Sequence, residues 1–388
     1  MKRHVVICGL FRYPRGNATS NYVQYWADAL KLAGYKVTIL SYVNKEYTSK
    51  QHFLYRGVDV IDLENHISII PLQRLLNGRL FQFRMKQTIK KLKLNNEDVV
   101  AVCDFSQISN PVFKLKKKYH YKTCGYPLEW FHKEFINNEK RAQIREAEFQ
   151  RNKEHDIIFP ISHLIAQQFE LSGAIVDVIP IMADAEEFQY KEKDLSNGKY
   201  ELIYPANGAL KDALDQMLVG LSLLSKEEQS RIILHIKGVK KEYVQNLLGE
   251  NTWETMKDVF VFHEWLEYAD LVKLYQSCHY LLLARETNQM TMANFPSKVP
   301  EVMTHGVVPI VTNVGDYTKY YLFDGENSIV FDGCEPQTVA DAIRKAISLP
   351  YDEYKRLSIN ARKTVEDKFD YHNWVVAYQT AIEKAFLN

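Results

Sequence analysis

The chain repeats one pattern throughout its length: a short apolar run rich in β-branched residues precedes a longer amphipathic stretch. In the first half the apolar runs are 4–10, 36–43, 98–105, 121–126 and 156–162. In the second half they are 201–207, 231–238, 259–265, 280–286, 307–313 and 327–333. Strands that alternate with helices form βαβ units, whose strands pair in parallel. The pattern therefore predicts an α/β protein with two Rossmann-like domains in tandem.

A polar stretch at 178–200, which ends in Ser-Asn-Gly, separates the two sets of strands and is the predicted linker. We predict an N-terminal domain at 1–185 and a C-terminal domain at 195–365. The helical segment 366–388 is long enough to cross back to the N-terminal domain. Because ligands bind at the carboxyl ends of parallel strands, we expect the active site in a cleft between two facing domains.

Charge and composition exclude several classes of protein. The net charge of +1 argues against a dedicated nucleic-acid binder, although residues 1–190 carry 27 Lys and Arg against 20 Asp and Glu. The five cysteines include no CxxC pair, which indicates reduced thiols. No apolar h-region follows the basic start, and no apolar run reaches the roughly 20 residues of a membrane span. We therefore expect a cytoplasmic protein.

Several common motifs are absent from the sequence. It contains no GxxxxGK[ST] and no GxGxxG after the first strand, so P-loop and dinucleotide chemistry are not expected. It also contains no HExxH and no Asp-x-Asp pair. We predict neither a cofactor nor a metal requirement.

The loops of the second domain contain candidate ligand-binding residues. Gly208 and Lys211 follow one predicted strand, and Ser297, Lys298 and Glu301 begin a short predicted helix after another. A helix N-terminus with nearby ammonium groups favours an anion such as a diphosphate. Glu301, one turn into the helix, suits a ribose diol, as acidic residues do in nucleotide sites.

The same residues also fit an ordinary solvated helix start. Ser297 could be the N-cap, Pro300 an early-helix proline and Glu301 a first-turn acid. The strand 307–313 and the acidic turn that follows it favour the ligand-binding interpretation.

Residues 295–330 resemble the C-terminal signature of family-4-type retaining glycosyltransferases of GT-B fold. Glu301-Val-Met-Thr-His-Gly-Val-Val-Pro-Ile stands for the family's helix and strand, and Val314-Gly-Asp-Tyr and Asp324-Gly-Glu-Asn-Ser stand for its two following turns. The Phe-Pro-Ser-Lys loop at 295–298 is similar to that of bacterial sugar transferases of polysaccharide biosynthesis. Weaker likenesses at 14–40, 159–169, 178–188 and 261–286 extend the resemblance over nearly the whole chain.

The resemblance implies an enzyme that moves a sugar from a nucleotide-diphosphate sugar to a glycan or lipid-linked acceptor, with retention, in cell-surface polysaccharide biosynthesis. The nucleotide-sugar is then a co-substrate, and Glu301 holds its ribose. The donor-binding residues implied are Glu301, Lys298, Ser297, Lys211, Gly208 and Asn294. Gly16 and Asn17 would belong to a loop that closes the cleft from the acceptor side.

The sequence departs from the family pattern at the residues that would perform catalysis. The family pair Glu-x7-Glu ends at Glu301, but its first position is Ala293. Glu286, Glu129 and His132 are the candidates that could supply an acid or base instead.

A basic segment at 71–94 mixes seven Lys and Arg residues with leucines and phenylalanines, and a second basic cluster follows at 114–122. A basic amphipathic helix of this kind favours peripheral docking on an anionic membrane, at its inner face. A solvated helix on a domain surface is the alternative.

Two other functions stay open on the sequence. One is a related GT-B enzyme, such as a nucleotide-sugar epimerase or a phosphorylase, although no additional phosphate or cofactor site is evident. The other is a non-catalytic GT-B subunit that binds a partner or a glycan, which Ala293 favours and Lys298 and Glu301 oppose.

Overall fold

The structure is a computed structural model that describes residues 3–14, 18–45, 47–64, 70–104, 106, 109–130, 136, 138–195, 198–208, 211–264 and 266–387, with the backbone only for 70–77. The chain divides into two compact units. The first is Met1–Met182 with Tyr371–Asn388, and the second is Ala183–Asp370. Each unit contains one sheet, so the predicted α/β class with two sheet domains is confirmed.

Most of the strands are short, buried and apolar. In chain order they are β1 (His4–Tyr13), β2 (Lys36–Val43), β3 (His52–Tyr55), β4 (Val58–Asp62), β5 (Val99–Cys103), β6 (Lys122–Tyr126), β7 (Ile157–Ile158), β8 (Ile175–Val176), β9 (Tyr200–Tyr204), β10 (Ile232–Lys237), β11 (Phe260–His263), β12 (Tyr280–Leu283), β13 (Val308–Thr312) and β14 (Ile329–Phe331).

The helices alternate with these strands. In chain order they are α1 (Ala18–Leu32), α2 (Ile70–Lys91), α3 (Asn110–Tyr119), α4 (Glu139–Gln150), α5 (His163–Gln167), α6 (Leu214–Ser222), α7 (Lys226–Ser230), α8 (Lys241–Leu248), α9 (Glu250–Met256), α10 (Tyr268–Ser277), α11 (Gln289–Ala293), α12 (Lys298–Met303), α13 (Gly315–Tyr320), α14 (Pro336–Ser348), α15 (Tyr351–Thr364) and α16 (Val375–Leu387).

The described strands of the first unit form a sheet in the order β3-β4-β2-β1-β5-β6-β7-β8. Its pairs are parallel, as predicted, except for the antiparallel hairpin of β3 and β4. The sequence patterns did not identify this hairpin or β8. Arg56 and Gly57 both have positive φ, at 48° and 77°, and so form the tight turn between β3 and β4. Partly exposed edge strands lack the continuous apolar run of a buried parallel strand.

Helices cover both faces of the first sheet. On one face Phe81, Met85 and Ile89 of α2 are buried with apolar side chains of the sheet and of α3. The C-terminal helix α16 packs within the same unit, where Tyr378 stacks on Trp26 of α1 at 6.4 Å between ring centroids. The last segment of the chain therefore completes the core of the first unit.

The described strands of the second unit form a parallel sheet in the order β11-β10-β9-β12-β13-β14. α14 packs on α6, whereas α12 packs on α15 and β13. Tyr280 of β12 meets Tyr354 of α15 edge to face, with centroids 5.3 Å apart. The helices after β12 and β13 thus lie where the crossovers of a doubly wound sheet are expected.

Among the described residues, no helix combines the length and the apolar character that crossing a lipid bilayer requires.

Candidate functional site

The strand order of the second sheet has a switch point between β9 and β12. From β9 the chain continues to β10 and β11 on one side, whereas β12 is followed by β13 and β14 on the other. Because these strands are all parallel, their carboxyl ends lie at one edge of the sheet. Open α/β sheets bind ligands at this edge, near the switch point. The loops after β9 and β12 are therefore the expected ligand position.

A buried hydrogen-bonded network joins these two loops. Asp212, after β9, accepts hydrogen bonds from the Tyr204 hydroxyl and from Arg285 Nε, both at 2.9 Å. Arg285, after β12, also donates from Nη1 to Asn294 Oδ1 at 2.8 Å. The side chains of Arg285 and Asp212 are only 8% and 5% exposed. A buried ion pair with additional hydrogen bonds fixes the spacing of the segments that carry it.

Sequence reasoning identified Asn294 in this network but missed Tyr204, Asp212 and Arg285. Asn294 was predicted to bind the donor; the structure places it at the end of α11, buried, with its carbonyl oxygen bonded to Arg285. A signal for the pair exists in the sequence, because Arg285 ends an otherwise apolar run and a buried charge needs a partner.

A second ion pair lies at the start of α12. Lys298 Nζ is 3.1 Å from Glu301 Oε2, and Glu301 Oε1 accepts a hydrogen bond from the Tyr275 hydroxyl of α10 at 3.3 Å. The Lys298 and Glu301 side chains are 28% and 20% exposed, so solvent reaches both. Ser297 has helical backbone angles and makes no capping hydrogen bond through its side chain. The ordinary N-cap explanation therefore does not apply to Ser297.

Lys237, the last residue of β10, belongs to the same charged cluster and was missed in the sequence. Burial and the nearby Lys298 ammonium lower the pKa of Lys237, while the Glu301 carboxylate acts in the opposite direction. The two lysines and the glutamate thus share one electrostatic environment. We call Lys237, Lys298 and Glu301 the edge cluster.

His305, two residues after the end of α12, packs among aromatic rings. The His305 ring lies 4.8 Å from that of Phe188 and 5.8 Å from that of Tyr275, between centroids. Burial lowers the pKa of His305 to about 3, so this ring is neutral near pH 7. Its Nδ1 atom has no hydrogen-bond partner among the described residues. His305 therefore supports α12 as an uncharged packing residue.

Gly208 and Lys211 flank residues 209–210, which lie outside the described part of the chain. Gly208 has a φ of +67°, and a Cβ atom there would lie 3.1 Å from Leu214 Cδ2. Both the backbone conformation and the close contact favour glycine. Lys211 is partly buried and directly precedes Asp212, so the buried network fixes the backbone next to Lys211.

Glu286 precedes α11, whereas Ala293 is the last residue of that helix. Glu286 is exposed, and its carbonyl oxygen accepts a hydrogen bond from the Thr291 hydroxyl at 2.5 Å. Burial, followed by the charge of Glu286, raises the pKa of the Cys334 thiol to about 11, which places the Glu286 carboxylate near the loop after β14. Ala293 is fully buried. The position where the resemblance expects a carboxylate thus holds a buried methyl group.

The remaining predicted site residues belong to the first unit. Glu129 lies in the loop after β6 and is partly buried. Beside it, Trp130 Nε1 donates to Glu146 Oε2 at 3.0 Å. Gly16, Asn17 and His132 lie outside the described residues.

The predicted basic helix forms α2, and the apolar side of its described part belongs to the core. Phe83 is the exception, with 58% of its surface exposed. α3 packs beside α2 and also exposes basic residues. The exposed cations of the two helices, which we call the α2–α3 basic face, are Arg79, Lys86, Lys90, Lys91, Lys114, Lys117 and Lys118.

The second unit matches a known protein family in sequence. Residues 185–364 match the family described as "Glycosyl transferases group 1", a range that includes the buried network and the edge cluster. No curated protein sequence matches the chain.

Solved structures match the chain over its length at low sequence identity. Sucrose-phosphate synthase from Thermosynechococcus elongatus aligns over all of both chains, with a TM-score of 0.75 and 12% identity. The UDP-forming α,α-trehalose-phosphate synthase from Burkholderia xenovorans aligns over 99% of both chains, with a TM-score of 0.66 and 11% identity. HepE of Anabaena, solved in complex with UDP-glucose, aligns over 99% of both chains, with a TM-score of 0.65 and 12% identity.

These matches and the two parallel-sheet units define the GT-B fold, as the sequence predicted. Within that fold, the second unit carries a domain that matches the group 1 glycosyl transferases.

Proposed function

We propose that this protein is a glycosyltransferase that takes its sugar from a nucleotide-diphosphate sugar. The observation that carries the proposal is the edge cluster: two lysines and a glutamate meet at the carboxyl edge of a parallel sheet, inside the segment that matches the group 1 glycosyl transferases. HepE of Anabaena was solved in complex with UDP-glucose, which supports UDP as the first nucleotide to test.

The chemistry of the edge cluster matches the ribose and the diphosphate of a nucleoside diphosphate. Lys298 and Lys237 provide ammonium groups for the diphosphate, and Lys211 follows the neighbouring strand. Glu301 provides carboxylate oxygens that accept hydrogen bonds from a ribose diol. The Tyr275 hydroxyl holds the Oε1 atom of Glu301, whereas the Oε2 atom accepts a hydrogen bond from Lys298. In the proposed complex the ribose replaces Lys298 as the partner of Oε2. Ser297, Gly208 and Asn294 complete the donor-binding loops in this proposal.

Sugar transfer then depends on stabilising the leaving diphosphate. As the glycosidic bond breaks, the sugar becomes oxocarbenium-like and negative charge develops on the diphosphate. Preorganised cations stabilise that charge at little reorganisation cost. We propose that Lys298 and Lys237 serve this role without a metal ion, that transfer proceeds with retention, and that Glu286, Glu129 or His132 provides any acid or base that the acceptor requires.

The acceptor is proposed to be a glycan or a lipid-linked saccharide in cell-surface polysaccharide synthesis, with Gly16 and Asn17 on its side of the site. The α2–α3 basic face supports a peripheral membrane contact, because α2 and α3 pack together and expose seven cations and Phe83. We propose that this face binds anionic lipid at the inner face of the membrane. Vesicles with increasing phosphatidylserine should bind more protein, and binding that ignores lipid charge would contradict this contact.

Donor binding can be tested by thermal shift with UDP, GDP, ADP and CMP, followed by calorimetry with the nucleotide that binds. Lys298→Gln should weaken the affinity about 10–100-fold, because a hydrogen bond to a charged group contributes about 1.5–3 kcal/mol. Lys273→Met, which removes an exposed lysine of α10, should leave the affinity unchanged. Release of the free nucleotide from UDP-sugars in buffer without added divalent metal then tests turnover without a catalytic metal ion.

One observation favours a second function. Ala293 offers a buried methyl group where the resemblance expects a carboxylate, which suits a non-catalytic GT-B subunit that binds a glycan or partner. In that case no nucleotide would shift the unfolding temperature, or one would bind without any release of sugar. Nucleotide binding together with sugar release would instead support the transferase.

A further inference from the structure

One face of the second sheet carries a cluster of atoms that can ligate a metal ion. A carboxylate oxygen of Glu201 on β9, a ring nitrogen of His235 on β10 and the thiol of Cys278 lie within 4.8 Å of one another. Glu201 Oε2 and His235 Nε2 are 3.5 Å apart. Three separate segments of the chain thus bring an oxygen, a nitrogen and a sulfur atom together.

A hydrogen bond to a second histidine bears on which ring nitrogen of His235 can bind a metal ion. His235 Nδ1 lies 2.9 Å from His263 Nε2 on β11, so one proton must lie between the two rings. When His235 donates that proton, its Nε2 atom carries a lone pair. That atom is buried without a hydrogen-bond partner among the described residues, and it faces a carboxylate oxygen. In that tautomer the two acceptor atoms face each other at 3.5 Å, and a metal ion between them would bind both; in the other tautomer His235 Nε2 donates to Glu201 instead.

The nearest ammonium group is bonded elsewhere. Lys193 is a buried lysine close to Cys278 and Glu201, yet its Nζ donates to the carbonyl oxygens of Tyr275 and Gln276 at 3.0 and 2.6 Å. The ammonium group is therefore bonded to the end of α10 rather than to the carboxylate. The Glu201 side chain is 24% exposed, which gives an ion access from solvent, whereas Cys278 is fully buried.

We propose that Glu201, His235 and Cys278 form a zinc site in which a water molecule takes the fourth position. Zinc prefers tetrahedral sets of sulfur, nitrogen and oxygen ligands, with His and carboxylate atoms about 2.0–2.2 Å from the ion. The 3.5 Å between Glu201 Oε2 and His235 Nε2 agrees with two such ligands on one ion. His263 is the outer partner that holds the His235 ring, as is usual for metal-bound histidines.

This site would join β9 and β10 to the end of α10. The same helix carries Tyr275, whose hydroxyl orients Glu301 in the edge cluster. Zinc at this position would therefore stabilise the position of α10, and with it Tyr275, without contacting a bound nucleotide. The proposal depends only on the ligand atoms and stands whether or not the protein transfers sugar.

Cobalt and zinc binding to the chelator-treated full-length protein test the site. We expect one equivalent of Co²⁺ to bind with a thiolate-to-cobalt charge-transfer absorption, and Zn²⁺ to displace it. Cys278→Ser should abolish that absorption, and it should weaken zinc binding more than His263→Gln does. His263→Gln should keep the absorption and weaken zinc binding by about 10–100-fold.

Two further variants control for damage to the fold. Cys334→Ser changes a cysteine of the loop after β14, outside the cluster, and should leave the cobalt spectrum unchanged. Glu201→Gln changes a partly exposed side chain, so the metal-free protein should still unfold cooperatively while its zinc affinity falls. The proposal is overturned if metal binding is not stoichiometric, or if the charge-transfer absorption survives in Cys278→Ser.

Discussion

Two ion pairs lie in the loops at the carboxyl edge of the second sheet, and they differ in burial. Arg285 and Asp212 are almost fully buried, and both make further hydrogen bonds inside the unit. Lys298 and Glu301 remain accessible to solvent, although the Tyr275 hydroxyl holds one oxygen of Glu301. The Arg285–Asp212 pair is too buried to contact a ligand. Lys298 and Glu301 can instead give up their contact with each other and bind a ligand.

This difference in burial distinguishes a structural ion pair from one that is available for binding, which sequence spacing alone does not do. A buried pair cannot lose one partner without leaving an uncompensated charge in the interior. An accessible pair contributes little to stability, so its charges are available for binding. We therefore propose that the Arg285–Asp212 pair holds the loops and that the edge cluster recognises a ligand.

The largest expected effect is a loss of stability in Arg285→Met. The variant leaves the Asp212 carboxylate buried without its partner, so the free energy of unfolding should fall by about 3–5 kcal/mol. Differential scanning calorimetry of the full chain measures the change. The matched control is Arg356→Met, which breaks an exposed pair with Glu353 and should cost about 0–1 kcal/mol.

The double variant Asp212→Asn/Arg285→Met sharpens this prediction. It removes both charges, so it should be more stable than Arg285→Met alone. Equal stability of the single and double variants would show that the two residues do not act as a pair.

The next largest effect is on the pH dependence of stability and concerns the neutral ring of His305, which follows α12. The pKa of this ring is about 3 in the folded protein against 6.5 as the ordinary value, so below pH 6.5 the unfolded chain binds a proton that the folded chain does not. The contribution of His305 to stability is therefore lost as the pH falls from 6.5 toward 3. At pH 4.5, two pH units below the ordinary value, we expect a loss on the order of 3 kcal/mol.

His305→Phe should remove this part of the acid sensitivity, which unfolding temperatures between pH 7 and pH 4.5 would measure. His163→Phe changes an exposed histidine of α5 and should keep the wild-type pH dependence. An unchanged profile in His305→Phe would mean that this ring is not held neutral in the folded protein.

Local patterns were sufficient to predict most of the fold. Buried parallel strands are continuous apolar runs, so each predicted run overlaps an observed strand. The hairpin of β3 and β4 was missed because its strands are partly exposed and its turn depends on positive φ angles at Arg56 and Gly57.

The candidate site could be predicted only where its residues are close in sequence. Lys298 and Glu301 are three residues apart and were found as a motif. Arg285 and Asp212 are 73 residues apart, and Lys237 lies on a different strand from Lys298, so only the folded sheet brings these charges together.

A smaller effect is expected for Lys237→Met, which tests whether the edge cluster extends beyond its ion pair. Losing this ammonium group should weaken UDP binding about tenfold at pH 7, or about 1.4 kcal/mol, if the diphosphate contacts it. Because burial and Lys298 lower the pKa of Lys237, wild-type affinity should fall as the pH rises through that lowered value, when the cation is lost. Lys237→Met should lose this alkaline dependence, which calorimetry across pH measures. Affinity equal to wild type at every pH would remove Lys237 from the site.

The smallest expected effect is on the stability of Lys298→Gln. The variant breaks an ion pair whose side chains are 28% and 20% exposed, and pairs of this kind contribute about 0–1 kcal/mol. Its unfolding temperature should stay close to that of the wild type, and the small difference should shrink further in 1 M salt, where the screening length is about 3 Å. Calorimetry at low and high salt measures both values. A loss of stability as large as that of Arg285→Met would mean that the exposed pair is structural too, and the contrast between the two pairs would no longer identify the ligand site.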